Sequence, residues 1–359
     1  MRPQPTAGRA AQIVRSAVPA AFQARIRYDE PMGAHCSWRA GGRAQVYFSP
    51  HGVEELTGFL RALPRSVPVY WVGLGTNLLV REGGIDGVVI ATPGAFTRIE
   101  RRSQERVYCE ASVPCARIAR CCANWSMSQG EFFSGIPGTL GGALAMNAGA
   151  FGDETWRHVL SVQTLDRAGE RHVRAAGEYR VGYRRIERPG AAAEDTAEDA
   201  AGMPAECFLS AELRFDPGTA AEGALASLMQ RRRDTQPLGA WSCGSVFKNP
   251  PGDHAARLIE SAGLKGHRIG DAVVSEKHAN FIINCGAASA TDLERLIEHV
   301  RATVQQVHGV LLEPEVRIIG EPATAGEAAT ASEAATAGEV AAASEVAAAG
   351  EVATTEGTH

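Results

Sequence analysis

The chain has 359 residues, a formal charge of −5 and 45% hydrophobic residues, enough for about two domains with real cores. No apolar run approaches the roughly 18 residues of a membrane span, so a membrane-spanning protein is not expected. From residue 321 to the end the sequence is Ala, Thr, Gly, Ser, Val and Glu, apart from Pro322 and the final His359, with glutamates recurring every six residues at Glu327, Glu333, Glu339, Glu345 and Glu351. That period matches neither a helix face nor a heptad and offers little to bury, which predicts a disordered acidic tail. The tail holds seven glutamates and no Lys or Arg, so residues 1–320 carry about +2 and give no electrostatic case for a nucleic-acid partner.

The eight cysteines (Cys36, Cys109, Cys115, Cys121, Cys122, Cys207, Cys243, Cys285) form no C-x-x-C pair. This is neither a zinc pattern nor a secreted disulfide scaffold, and it fits buried reduced thiols in a reducing cytoplasm with no metal. Residues 1–30 carry Arg and Ser but no continuous apolar core, so no secretory signal is read there. We read them as a loosely ordered N-terminal extension.

In chain order, residues 43–49 (RAQVYFS) read as a strand and residues 53–63 as an amphipathic helix. Residues 67–72 (VPVYWV) form a buried strand that enters Gly73-Leu74-Gly75-Thr76-Asn77-Leu78. The latter superficially matches a dinucleotide fingerprint, but Leu78 holds the third glycine position, so a Rossmann unit is not expected. Strands follow at 87–91, 96–100 and 106–112, then a helix at 115–125. Residues 134–152 (SGIPGTLGGALAMNAGAFG) have no amphipathic period. A turn at Gly135-Ile136-Pro137-Gly138-Thr139 leading into a small-residue helix would present N–H groups to a phosphate, while close helix packing is the bland alternative. Strands at 159–166 and 208–216 close this region, with a mobile loop expected at 190–204. Beyond residue 217 come a helix at 221–233 ending in a basic cluster, a helix at 253–262, a strand at 280–284, a long helix at 291–308 and a strand at 311–319.

Eight motifs then agree in order and spacing: HCSWRAGG (35–42), GLGTNLLVREGG (73–84), residues 134–152, GYR (182–184), GSVFKNP (244–250), AGLKG (262–266), VSEKHANFIIN (274–284) and LEPEVRIIG (312–320). Together they resemble the UDP-N-acetylenolpyruvoylglucosamine reductase family of peptidoglycan precursor synthesis, over roughly residues 30–320, in its shorter subtype. The resemblance implies an α+β protein: an FAD-binding domain of the vanillyl-alcohol-oxidase (PCMH) type at 31–216 and a smaller α+β substrate domain at 217–320. It implies FAD as cofactor, NADPH as co-substrate and UDP-N-acetylglucosamine enolpyruvate as substrate, in a cytoplasmic monomer. A related flavin oxidase and a catalytically silent nucleotide-sugar-binding homologue are the alternatives, and the intact GSVFKNP and EPEVR motifs argue against both.

The implied reaction adds a hydride to the enolpyruvyl methylene carbon, leaving carbanion character beside a carboxylate. The protein must then supply positive charge and a proton. By motif position Ser245 matches the family's proton donor, whose bland alternative is a turn-capping hydroxyl. Arg184 matches the carboxylate-binding arginine, a residue type whose planar fork suits bidentate pairing. Here the chain departs from the family pattern, reading Arg184-Arg185-Ile186-Glu187, and Arg180 and Arg185 stay open as alternatives. Glu315 matches the active-site carboxylate, although on a strand Glu313 and Glu315 share a face and the residues alone do not choose. A salt bridge with Arg317 is the bland role for Glu315. Flavin contacts are expected from Gly73, Leu74, Gly75, Thr76, Asn77 and Leu78, and from Ile136, Pro137, Gly138, Thr139, Gly141, Gly142 and Asn147. Asn77, Thr139 and Asn147 are the expected polar anchors. Lys248, Asn249 and Lys265 are expected at the substrate's diphosphate.

Overall fold

The computed structural model describes residues 8–189, 206–218 and 224–323. Two sheets build the first part of the chain. In the first, strands β1 (Ile26–Pro31), β2 (Arg43–Phe48), β5 (Ile85–Ala91) and β3 (Val69–Val72) lie side by side in that order; β1 and β2 are antiparallel, and β5 runs parallel to β2 and to β3. Helix α2 (Val53–Ala62) crosses from β2 to β3 and buries Leu56, Phe59 and Leu60, the apolar stripe of a 3.6-residue period. Short strand β4 (Leu78–Val80) leaves this sheet for another partner.

The second sheet is antiparallel. It takes β6 (Ile99–Arg101), β7 (Arg106–Glu110), β8 (Val159–Asp166), β9 (Arg171–Ala175) and β12 (Glu206–Arg214) in the spatial order β9-β8-β12-β7-β6. Helices α3 (Cys115–Asn124) and α4 (Leu140–Met146) cover it over a core that includes Phe133, Leu140, Leu144 and Leu213. The hairpin β10 (Arg180–Gly182) and β11 (Arg185–Glu187) stands off this sheet.

The C-terminal part holds α5 (Ala224–Thr235), α6 (Ala255–Ser261), a small sheet of β13 (Arg268–Ile269), β14 (Ala272–Val274) and β15 (Ile282–Asn284), and the long α7 (Ala290–His308). Ser289 caps α7 by accepting from the Asp292 N–H, and Gly309 ends it in a left-handed turn. This part is joined to the first. Trp38, wholly buried, belongs to its core and donates to the Ile282 carbonyl (2.8 Å), and the last strand, β16 (Arg317–Ile319), pairs parallel with β4.

Two expectations are corrected. The N-terminal segment is not loosely ordered from residue 9 on. Helix α1 (Arg9–Ala17) buries Ala10, Ala11 and Val14 against the first sheet, its first N–H groups are met by Gln45 and Asp86, and β1 forms the sheet edge. The strand expected at 311–319 shrinks to β16, because Pro314 has no N–H for a ladder; residues 313–315 instead follow the Phe247 loop. The loop expected at 190–204 and most of the acidic tail lie outside the described residues. Among the described residues no cysteines are paired; burial pushes the Cys36, Cys122 and Cys243 thiols up to about 12, so they stay protonated.

Candidate active site

Two glycine turns face each other where the sheets meet. Strand β3 ends in the turn at residues 73–78. A Cβ on Gly75 (φ +63°) would stand 1.9 Å from the His35 carbonyl oxygen, so only glycine lets these backbones touch. The second turn, at 135–139, precedes α4, and the Thr76 hydroxyl ties the two together by donating to the Pro137 carbonyl (2.6 Å). Between them lies a cavity of about 980 Å³, large even for a ligand pocket. Residues 73–78, 136–139, 141 and 142 all line it. A Cβ on Gly142 would meet nothing within 4 Å, so this face of α4 opens on the cavity.

Three side chains from distant segments meet on the same cavity: Arg184, Ser245 and Glu315. Arg184 sits in the hairpin turn with φ +54°, and its side chain is directed inward. Its Nε donates to Glu315 Oε1 (2.7 Å), Nη1 to the Asn147 carbonyl (3.2 Å) and Nη2 to the Gly149 carbonyl (3.2 Å). Arg180 and Arg185 point outward to Glu187, with side chains 75% and 73% exposed against 16% for Arg184. Glu315 is 13% exposed; burial pushes its carboxyl above the usual range, against the pull of the Arg184 and Lys248 cations. Glu313 is 70% exposed and pairs with Lys248. The two glutamates are therefore separated, and the partner of Glu315 is Arg184.

Backbone bonds fix Ser245 relative to Glu315. The Glu315 N–H donates to the Val246 carbonyl (2.7 Å), Val246 N–H to the Asn280 carbonyl (2.9 Å), and the Asn280 carboxamide bonds both backbone groups of Phe247. Asn77 links this assembly to the first glycine turn, donating from Nδ2 to the Glu315 carbonyl (3.0 Å). Asn280 was not singled out from sequence; its place in VSEKHANFIIN was the available signal.

Other expected residues lie elsewhere. Asn147 is wholly buried and off the cavity wall, spending its carboxamide on the Trp156 N–H and the Gly182 carbonyl. Lys265 pairs with Glu260 (2.7 Å), and Asn249 accepts from the Ala255 N–H at the start of α6 (3.0 Å). Lys248, Asn249 and Lys265 do not line the cavity. The basic cluster ending α5 does reach it: Arg231 and Arg232 line the wall, and among the described residues neither has a carboxylate partner. Arg232 donates to the Ser134 carbonyl (3.0 Å) beside the second glycine turn.

Residues 44–174 match the FAD binding domain family, so the two glycine turns belong to an FAD-binding domain. Residues 236–319 match the UDP-N-acetylenolpyruvoylglucosamine reductase C-terminal domain. The chain is 51% identical over 298 residues to UDP-N-acetylenolpyruvoylglucosamine reductase of Alkalilimnicola ehrlichii, covering 82% of this chain and 95% of that one. It is 50% identical over 294 residues to the enzyme of that name from Methylococcus capsulatus, covering 81% and 92%. The crystal structure of UDP-N-acetylenolpyruvylglucosamine reductase from Thermus caldophilus superimposes with a TM-score of 0.67 at 28% identity, over 82% of this chain and 98% of that one. The chain belongs to the UDP-N-acetylenolpyruvoylglucosamine reductase family. Its residues fit a flavin dinucleotide: the cavity has the room, and Gly142 leaves open the space a side chain would fill.

Proposed function

We infer that the protein reduces the enolpyruvyl group of UDP-N-acetylglucosamine enolpyruvate with NADPH, using FAD, to give UDP-N-acetylmuramate. The observation that carries this is the convergence of Arg184, Glu315 and Ser245 on the cavity walled by the two glycine turns. The backbone of residues 73–78 and 136–142 would hold FAD, which when bound would supply hydride transfer from NADPH to the methylene carbon. This chain's residues manage the charge and the proton. Three of the five Arg184 N–H donors are used by Glu315 and two carbonyls, which leaves one on each Nη for the substrate carboxylate. Charge developing on the α-carbon lies next to that carboxylate, so the same guanidinium stabilises it. The Ser245 hydroxyl delivers the proton to the α-carbon; a weak acid serves because the carbanion is strongly basic. Glu315, buried against Arg184, holds the guanidinium and polarises the enolpyruvyl group.

Arg231 and Arg232 offer positive charge to a phosphate in the cavity, and Lys248, Asn249 and Lys265 are proposed to approach the diphosphate only on ligand binding. No helix among the described residues is long and apolar enough to cross a membrane. Water-soluble nucleotide substrates support a cytoplasmic site of action, and a monomer serves because one chain supplies all three polar groups. The test is anaerobic stopped flow on the FAD-loaded protein. NADPH should bleach the flavin band, and UDP-N-acetylglucosamine enolpyruvate should restore it without oxygen; recovery only on admitting oxygen would overturn the reading.

A further inference from the structure

Asn147 is polar and wholly buried; its N–H closes α4 on the Leu144 carbonyl (3.3 Å), while its carboxamide and its carbonyl are directed toward the Arg184 hairpin and the segment that supports it. It ends α4 in a left-handed conformation (φ 45°, ψ 52°), which asparagine tolerates better than most residues. Its Oδ1 accepts the Trp156 N–H (3.1 Å), and Trp156 in turn donates from Nε1 to the Leu144 carbonyl (2.8 Å), closing a rigid loop around the helix end. From that fixed base Nδ2 donates to the Gly182 carbonyl (3.0 Å), two residues before Arg184, and the Asn147 carbonyl accepts from Arg184 Nη1 (3.2 Å).

The hairpin needs such a hold. Its strands are three residues each, all three residues of β10 are exposed, and Ile186 is the one hydrophobic side chain of the pair that packs on the neighbouring core. A two-stranded ribbon of this size does not keep its geometry unaided. Arg184 must also stay at φ +54°, a strained conformation for a non-glycine residue that persists only when its surroundings enforce it. We propose that Asn147 is a positioning residue for the reaction: its carboxamide fixes the hairpin so that the two remaining Arg184 donors face the substrate carboxylate. Carboxamide and carbonyl act as one device, the first placing the backbone and the second aiming the guanidinium. The inference rests on the reading of Arg184 as the carboxylate ligand.

The test uses FAD-loaded protein with Asn147→Asp, Asn147→Gly, Arg184→Ala and the double variant Asn147→Asp/Arg184→Ala. Asn147→Asp keeps volume and the acceptor for Trp156 but sets an oxygen against the Gly182 carbonyl. Asn147→Gly keeps the left-handed turn and removes the carboxamide. Two readouts are needed: calorimetric affinity for UDP-N-acetylglucosamine enolpyruvate, and the two anaerobic half-reactions. We expect each Asn147 variant to weaken substrate affinity and slow substrate-driven reoxidation about tenfold, with bleaching by NADPH within about threefold of the parent. In the Arg184→Ala background Asn147→Asp should have no further effect, because the residue it positions is gone. Full additivity of the two losses, or equal slowing of both half-reactions, would overturn the proposal. Failure of both Asn147 variants to fold would do the same, since it would make Asn147 a packing residue. Arg184→Ala with an unchanged substrate step would instead sink the functional reading of Arg184.

Discussion

The two walls of the cavity are built on opposite plans. One wall is backbone: two short contiguous turns, at 73–78 and 135–142, whose glycines permit close approach and an open face. The other wall is three side chains from three distant segments, tied by Asn77, Asn147 and Asn280. A backbone wall grips by shape and depends on what is missing at Cβ. A side-chain wall depends on the identity of one functional group, and small chemical changes there should act on a single step.

The largest expected effect follows from that contrast. Ser245→Ala should leave flavin bleaching by NADPH intact and slow substrate-driven reoxidation by about 10²–10⁴-fold, the range of a lost general acid. Equal loss in both steps, measured by anaerobic stopped flow, would mean that Ser245 is structural. Arg184→Lys keeps the charge but loses the planar fork that now serves Glu315 and two carbonyls and, on the proposed reading, would also pair with the substrate. It should slow the same step about 10²-fold; a loss of less than about threefold would show that a point charge is enough.

The backbone wall should fail differently. Gly142→Leu places a side chain in open space, so the protein should fold and melt normally yet purify without flavin. Gly75→Ala meets the His35 carbonyl oxygen at 1.9 Å and should lower stability before it affects flavin content. The ratio of flavin absorbance to protein, set beside a thermal melt, separates the two outcomes. A flavin-replete Gly142→Leu would break the comparison.

The walls also differed in how far they could be read from sequence. The glycine turns were legible because their signal is local: a strand, a glycine run and a small-residue helix stand next to each other in the chain. The helices at 53–62, 115–124 and 290–308 were legible for the same reason, from their apolar periodicity. The charged wall was legible only through motif resemblance. Strand parity could not separate Glu313 from Glu315, because Pro314 prevents the strand on which the parity argument depends. Nor could spacing choose among Arg180, Arg184 and Arg185, since the deciding feature is a left-handed turn at Arg184. The place of Asn147 in a glycine-rich motif points to a flavin anchor; sequence cannot show that α4 ends there and turns the side chain away from the cavity. The N-terminal helix was missed because its apolar face is mostly alanine, and its docking depends on Gln45 and Asp86, far along the chain.

The smallest expected effects on stability concern two largely buried carboxylates with opposite titration. Glu206 is 12% exposed; burial works to raise its pKa, but hydrogen bonds from Arg174 and Thr164 overcome this and hold it below the ordinary value. Its charged form is favoured in the fold, so its stabilisation is present above the unfolded-state value and is lost as pH falls through the folded value. Glu206→Gln should therefore lower the melting temperature by a few degrees at pH 7, and the difference should close in acid. Glu315 has the reverse sign. Burial raises it more than Arg184 and Lys248 lower it, so at neutral pH its charge costs the fold stability, and that cost disappears as pH falls from the folded value to the ordinary carboxyl range. Glu315→Gln should raise the melting temperature by about 2 °C at pH 7, with no gain below about pH 4, while substrate-driven reoxidation collapses. A stability gain paired with loss of activity would mean that the carboxylate is kept for chemistry against the preference of the fold. A destabilised Glu315→Gln would mean that its ion pair with Arg184 serves the fold first.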